Sequence, residues 1–553
     1  MNLLYRPIQM KSLAVFAPTV LVIVLIVASA LPSQAQIPIP TIIYGFQQAP
    51  TDTVAPFGAI AQGRDGNIYG TGTGRALNGN GGVYKITPSG TEVLLVSFPA
   101  NWPNCQGLTL AMDGNFYGTC NGGGPGPNTL GLIYRLTPAG VLTDIHDFTD
   151  TVGDAMPNGA PVLGADGNLY GTTGNGNGVA GNVYRITTAG VYKSLYTFSG
   201  GNSVPSVLNI GSDGNLYGSL GDAAGFGNVG GVFRISTGGA FKLLYGFVSA
   251  TRVYYPNNPM IRATNGKLYG TTFFTSGTGG NGTIYDLTIA GVVTDLYNWA
   301  SGTNLDGGVN SMLQATNGNF YGASPGGASG NMGGLFELTS TGVYSSFLFT
   351  QQSVTGSQPS TPLMQHTNGT VFGTNSTGGA FPDDGLFFSL NIGASPFISL
   401  VTPVSAGKEG TQVGILGQGF SSSSVVKFGG TTVTTQTLTG TTFIEATVPA
   451  GALTAKVTVT TGSTTLSTTA IYKVTPTFKT FTPPSGPVAT VVTITGTGLE
   501  QTTKVTFNKV VATFTVVSDT EITATVSAGA TTGKIAITTK GGSASNATSF
   551  TVN

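Results

Sequence analysis

A six-residue turn recurs seven times along the first 390 residues, and its spacing restricts the possible folds more than any other feature. The copies are Asp65-Gly66-Asn67-Ile68-Tyr69-Gly70, Asp113 to Gly118, Asp166 to Gly171, Asp213 to Gly218, Asn265 to Gly270, Asn317 to Gly322 and Asn368 to Gly373. Their starts lie 48, 53, 47, 52, 52 and 51 residues apart. A period of about 50 residues with several strands per unit belongs to propeller blades and not to helical solenoids.

Each unit reads as four strands. In the third, Pro161–Ala165 is a short strand, and Asp166-Gly167-Asn168 is a hairpin turn whose Gly and Asn tolerate positive φ. Leu169–Thr173 follows as the second strand, then a Gly/Asn-rich loop, Gly174–Gly181. Asn182–Thr187 is the third strand, Ala189-Gly190 turns, and Tyr192–Phe198 is the fourth. Adjacent apolar residues such as Leu169 and Tyr170 imply burial of both sheet faces, as blades packed face to face require. The fourth strand ends on Phe98, Phe148, Phe198, Phe247, Trp299 and Phe349, with a further ending at Phe46 ahead of the first turn. The last turn, at Asn368, is followed by one strand only, Phe387–Leu390. The N-terminal segment Ile42–Phe46 is therefore expected to complete the final blade, closing a ring of seven and removing open edges.

Composition agrees with short strands and tight turns. Gly is abundant (85 residues) and charge sparse (8%), yet 40% of the chain is hydrophobic, which a disordered chain lacks. The net charge is zero and no basic run exists, so nucleic-acid binding is not expected. Two Cys and two His leave little for zinc or histidine chemistry. At the N-terminus, Arg6 and Lys11 precede an uncharged, mostly apolar stretch, Ser12–Ala30, and Ser33-Gln34-Ala35 offers a cleavage site before Gln36. This reads as an export signal with no membrane span after its removal, the alternative being an uncleaved anchor.

The unit Asp-Gly-Asn-Leu-Tyr-Gly-Thr-Thr, with Gly-x-Val-Tyr-Arg-Ile-Thr and Leu-Tyr-x-Phe after it, resembles the GloVer tandem repeat of exported bacterial proteins over residues 41 to 390. The resemblance implies a secreted or cell-surface location and no established activity. The repeat is also faintly similar to streptogramin B lyases, whose units carry Asp-Gly-x-Leu-Trp-Phe-Thr-Glu. Here Tyr-Gly-Thr replaces Trp-Phe-Thr and no Glu follows, which argues against lyase chemistry.

After Ser389 the composition shifts to Thr, Val and Ser, and a different unit appears twice, about 79 residues apart. Thr402-Pro403 matches Thr482-Pro483, and Gly417-Gln418-Gly419-Phe420 matches Gly496-Thr497-Gly498-Leu499. Val426-Lys427-Phe428 matches Val505-Thr506-Phe507, and Phe443–Val448 matches Glu521–Val526. Alternating strands at this spacing suit small antiparallel sandwiches, and the pair resembles IPT/TIG immunoglobulin-like domains. The expected organisation is a signal peptide (1–35), a seven-bladed propeller (36–393) and two immunoglobulin-like sandwiches (394–475 and 476–553), in a monomeric, all-β protein.

No catalytic, cofactor or metal site emerges. Asp65, Asp113, Asp166 and Asp213 could suggest calcium, but each belongs to a separate blade, Asn replaces it in the other three, and calcium needs six to eight converging oxygens. They are read as turn residues together with Asn265, Asn317 and Asn368. One register of the third strand carries Lys85, Arg135, Arg185, Arg234, Asp286, Glu337 and Ser389, either a solvated or cross-blade-paired ring or a charge-asymmetric ligand surface. Cys105 and Cys120 flank one turn and suit a local disulfide in an exported protein. His146 and His366 fall in different blades without a partnered acid, and the Gly-x-Gly turns lack the following helix of a dinucleotide site.

Three functions remain open: a non-enzymatic scaffold whose loops, such as Gly122–Asn128 and Ser276–Gly282, bind a glycan or protein; an extracellular lyase or hydrolase acting on a polysaccharide or small molecule in the axial channel; or a passive structural component of the envelope or matrix.

Overall fold

The computed structural model describes residues 37–47, 55–72, 81–124, 129–149, 155–174, 181–199, 205–211, 213–221, 230–247, 256, 258–272, 282–299, 305, 311–327, 332–359, 361–378, 384–401 and 406–553. The signal segment 1–35 and Thr402-Pro403 lie outside them. Of the two loops singled out above, only Gly122–Gly124 and Gly282 are described. The described helical content is one short turn, Gln352–Thr355, and no described helix is long and apolar enough to cross a membrane.

Up to Leu390 the described strands form seven antiparallel sheets. Sheet one runs in chain order through Pro56–Gln62, Ile68–Gly72, Gly82–Ile86 and Glu92–Ser97. Sheets two to six repeat that order. Sheet seven differs. Thr41–Gly45 pairs with Leu386–Leu390, which pairs with Val371–Thr377, which pairs with Ser357–Pro359 and Met364–Gln365. Its outer strand is thus the N-terminal segment, with Ile42 opposite Phe388 and Tyr44 opposite Phe387.

The second strand of sheets one to six is wholly buried, and that of sheet seven from Val371 to Asn375, as two-faced packing demands. Motif tyrosines pack against the next sheet: the Tyr69 ring lies 4.3 Å from Phe116 and Tyr269 lies 4.2 Å from Phe320. Hydroxyls join successive sheets. Thr71 Oγ1 accepts from Gly107 N (3.1 Å), Thr119 Oγ1 donates to Gly159 O (2.8 Å), Thr172 Oγ1 to Ser206 O (3.1 Å) and Ser219 Oγ to Asn258 O (2.9 Å). In sheets one to four the Thr or Ser after Tyr-Gly therefore satisfies a backbone group of the following unit in a buried seam, whereas Thr271 and Thr374 bond within their own units. Sheet seven meets sheet one in the same sense, with His366 Nε2 2.9 Å from Gly66 O and the Gln62 amide bonded to both Thr367 N and Oγ1.

Two local expectations need correction. The first strand of the third unit is Pro157–Leu163, not Pro161–Ala165, because a bulge between Asn158 and Val162 lets Pro157 and Asn158 resume pairing with Thr173 and Thr172. Within the turns the positive φ falls on Gly alone (77° at Gly66, 79° at Gly167), while the Asn bonds the carboxylate of the preceding Asp.

Beyond the seventh sheet, Val425–Phe428 and Val457–Thr461 lie in one four-stranded sheet, and Gln412–Leu416 and Phe443–Thr447 in another. Val413, Ile415, Val426, Phe428, Ile444 and Val459 fill the core between them. The last unit has one continuous seven-stranded arrangement in which the long strand Val510–Ser518 pairs with both Thr502–Phe507 and Glu521–Thr525. Val492, Ile494, Val505, Phe507, Ile522, Ile535 and Ile537 form its core. The alternating burial of Val491–Thr497 is that of a sandwich strand with one wet face.

Candidate functional site

The repeated acids are occupied within their own turns. Asp166 Oδ1 accepts from Asn168 N (3.2 Å), and Oδ2 accepts from Asn168 Nδ2 and Tyr170 Oη (both 2.7 Å). Asp65 and Asp113 repeat all three bonds, and Asp213 repeats those from Asn215 N and Tyr217 Oη. Burial raises the tyrosine hydroxyls well above their usual range, and the adjacent carboxylates add to it; Tyr217 reaches about 12. The hydroxyls are thus fixed donors.

The third-strand charges follow the same logic. Lys85, Arg135, Arg185, Arg234, Asp286, Glu337 and Ser389 each stand directly opposite the motif aromatic. Where the motif has Asp, this position is basic. Where the motif is Asn265 or Asn317, it is acidic: Glu337 Oε1 accepts from Tyr321 Oη (2.7 Å) and Asn319 Nδ2 (2.7 Å), and Asp286 takes Lys267 Nζ (2.7 Å). In sheet six the acid that receives the tyrosine proton has moved from turn to strand. We expect Asp113→Asn to cost about 1–3 kcal/mol, because Tyr117 loses its acceptor. Adding Arg135→Glu should restore at least half of that loss. Urea unfolding of both single variants and the pair measures the coupling.

Cys105 and Cys120 are cross-strand partners in sheet two and form a disulfide. His366 is buried at the junction of sheets seven and one, and burial lowers its pKa. His146 stacks on Tyr192 (4.1 Å, 5°) across a sheet boundary. The structure does not bring the two histidines or the motif acids together.

Antiparallel order fixes two faces. The turns between strands one and two, and between three and four, leave at one end of every sheet. The remaining connections, including the Gly/Asn segments, leave at the other. The first immunoglobulin-like module sits on the turn face. Thr442 Oγ1 donates to Arg64 O (2.5 Å), the Arg64 guanidinium lies 4.1 Å from the Phe443 ring centroid, and Arg64 Nη2 donates to Met112 O. Gln418 Nε2 donates to Thr367 Oγ1 (2.8 Å), and Phe397 N to Thr367 O (3.0 Å). Val401, Leu416 and Phe443 join the core of sheet two. Sequence reasoning missed these residues: Arg64 and Thr442 are 378 positions apart with no local signal.

Two cavities, of about 320 and 260 Å³, lie between this module and the first strands of several sheets. Their walls include Ile60, Leu110, Leu163, Leu400 and Val401 around Gln62, Gln365 and Thr367, and neither is lined by a carboxylate, histidine or cysteine. The Gln62, Gln365 and Thr367 side chains are hydrogen-bonded within the protein.

A carboxyl pair marks the joint between the two C-terminal modules. Glu409, whose Oε1 accepts from Gly451 N (2.7 Å), also hydrogen-bonds Asp519, which is held by Gly498 N and Glu500 N. Gln501 bridges the same joint through Thr454 N (2.8 Å). Burial, then the bond to Asp519, raises Glu409 to about 7. The folded carboxyl keeps its proton to about pH 7, whereas the unfolded chain releases it near 4.5, so stability falls as pH rises through that window. A lower unfolding midpoint at pH 8 than at pH 5 is expected, with Glu409→Gln flattening the difference; an equal slope in the variant contradicts it.

The model of the Gloeobacter/Verrucomicrobia repeat matches residues 32–222 and 204–443, its second match running into the strands that dock on the turn face. The IPT/TIG domain model matches residues 476–552. Curated proteins give no match by sequence. Among solved structures, the chain is similar to puromycin hydrolase (13% identity, TM-score 0.42, covering 70% of this chain and 63% of that one). It is also similar to a fungal alcohol oxidase of the AA5 family in complex with copper (12%, 0.41, 94% and 100%) and a gluconolactonase-family protein (13%, 0.33, 53% and 89%). At these scores the likenesses say nothing about activity. With the repeat matched over most of its length and an IPT/TIG domain at its C-terminus, the chain belongs to the Gloeobacter/Verrucomicrobia repeat family.

Proposed function

We propose that this chain is an exported, non-enzymatic binding scaffold: a closed seven-bladed propeller (36–393) carried on two immunoglobulin-like modules (394–475 and 476–553) that act as spacer or interaction units. Its ligand is a glycan or protein held on the face opposite those modules. The observation that carries this reading is the docking of Thr442, Phe443 and Gln418 on the turn face, which leaves the Gly/Asn connections as the free end of the ring. Connections on a rigid scaffold are where recognition residues can vary without cost to the core. The seven sheets, with Thr41–Gly45 as the outermost strand of the last, support the count and the closure. Cleavage before Gln36 delivers the chain to the envelope or exterior as a monomer without a membrane span, where the Cys105–Cys120 bond persists.

A glycan array and a pull-down with the protein beginning at Gln36 test the proposal. Specific capture that is lost when 125–128 and 273–281 become Gly-Ser segments of equal length is expected. Capture that survives those replacements, or none at all, overturns it.

A further inference from the structure

Sheets three and four carry an arrangement that neither the turn chemistry nor the module contacts explain. Arg185 and Lys193 are direct cross-strand partners in sheet three, and Arg234 and Lys242 occupy the same register in sheet four. Like charges directly opposite destabilise a sheet pair. The other sheets avoid this, placing Val93 opposite Lys85, Thr143 opposite Arg135, Thr294 opposite Asp286 and Ser345 opposite Glu337. Two adjacent sheets therefore share an unfavourable choice in a chain with only 22 basic residues.

Of these four cations, Arg185 and Arg234 act on Tyr170 and Tyr217 through space only. Among the described residues none of them makes a hydrogen bond or ion pair, and the Nε atoms of Arg185 and Arg234 are buried without a partner. The nearby acids are committed elsewhere: Asp166 to Asn168 and Tyr170, and Asp213 to Tyr217, Asn215 and Arg262 (2.7 Å). Arg262 adds a fifth positive charge, so the two rows have a net excess of cations over acids. Lys193 and Lys242 are exposed, and among the described residues the hydrogen bonds and ring contact that hold the first immunoglobulin-like module involve neither row.

We propose that this double row is a docking surface for an acidic polysaccharide, whose carboxylates lie across the outer strands of sheets three and four. A repeating anion suits a repeating cation pair, because successive sugar carboxylates can neutralise successive sheets, each contact releasing counterions. The surface does not depend on the opposite face described above. A chain held by both would cross-link an anionic matrix to a second ligand.

The test uses the protein beginning at Gln36 and polygalacturonate, with neutral dextran and a DNA duplex as comparators, by calorimetry at low and moderate salt. Binding to polygalacturonate that weakens with salt is expected, with neither comparator bound as well. Lys193→Ala/Lys242→Ala should lower the affinity about tenfold and Lys193→Glu/Lys242→Glu abolish binding. Lys479→Ala/Lys504→Ala, an equal charge change on the last module, should leave it intact. Both lysines of the site are exposed and unpartnered, so an unchanged melting temperature confirms that the variants fold. Dextran bound equally well, DNA bound better, or equal losses in the two alanine pairs would each overturn the proposal.

Discussion

Removing residues up to Phe46 is expected to unfold the seventh sheet and loosen its packing on sheet one. That deletion strips sheet seven of its outer strand, exposing the backbone of Leu386–Leu390 as an open edge next to the apolar residues Phe387 and Phe388. It also removes Phe46, a fully buried ring 5.0 Å from Tyr84 of sheet one. Phe46→Ala alone should cost about 3–5 kcal/mol, from lost burial plus the cavity left behind. A typical domain has only about 5–15 kcal/mol in total, so loss of the whole strand leaves little margin. Circular dichroism melting and size-exclusion chromatography should show an early, broad transition and edge-driven association. A truncated chain that melts like the parent and stays monomeric would refute closure by the N-terminal strand.

The second large effect is expected at the last residue of the turn motif. Gly171 stands directly opposite Tyr184, whose ring lies over it so closely that an added Cβ would overlap the phenol. Gly70 under Tyr84, Gly118 under Tyr134, Gly218 under Phe233 and Gly373 under Phe388 repeat the arrangement. The backbone of Gly171 is not in the left-handed region, so the requirement is space and not conformation. Tyr184 is fully buried between sheets and cannot move aside. Gly171→Ala should therefore destabilise by about 3 kcal/mol, near the upper end of overpacking effects. Gly167→Ala tests a different cause, since an added Cβ there meets nothing within 4 Å and the cost is the φ of 79° alone. Relief of the Gly171→Ala defect by Tyr184→Phe would not be expected, because the ring carbons as well as the hydroxyl occupy the space; chemical denaturation of the double variant checks this.

Much of the fold was legible because the unit is repeated. Seven copies of one turn average out local ambiguity, and the missing fourth strand after Asn368 matched the spare strand before Asp65. That inference needed only counting, and Thr41–Gly45 does pair with Leu386–Leu390; the register, Ile42 opposite Phe388, came only with the structure. The start of each first strand was less legible. A bulge beside Gly159 interrupts the pairing, and nothing in the apolar pattern distinguishes a bulge from a strand end. The turn acids were readable as turn residues, but their partner was not. The contact of Asp166 with Tyr170 spans four positions and depends on the hairpin folding back.

The charged register shows the division most clearly. In the sequence it is a series of four bases and two acids with no evident rule. In the structure each member faces a motif aromatic, and the sign depends on whether the turn supplies Asp or Asn. Arg185 and Arg234 have in addition a lysine directly opposite, which that rule does not require and which is visible only once the strands are in register.

The sequence by itself determined the repeat unit, its strand order, the change of module after Ser389 and the donated strand. These follow from periodicity and turn chemistry, which act over a few residues. Tertiary structure alone decided which hydroxyl staples one sheet to the next, which face the first immunoglobulin-like module covers and where unpaired cations gather. Those outcomes depend on groups hundreds of residues apart meeting at particular distances, and the sequence carries no local pattern for such meetings.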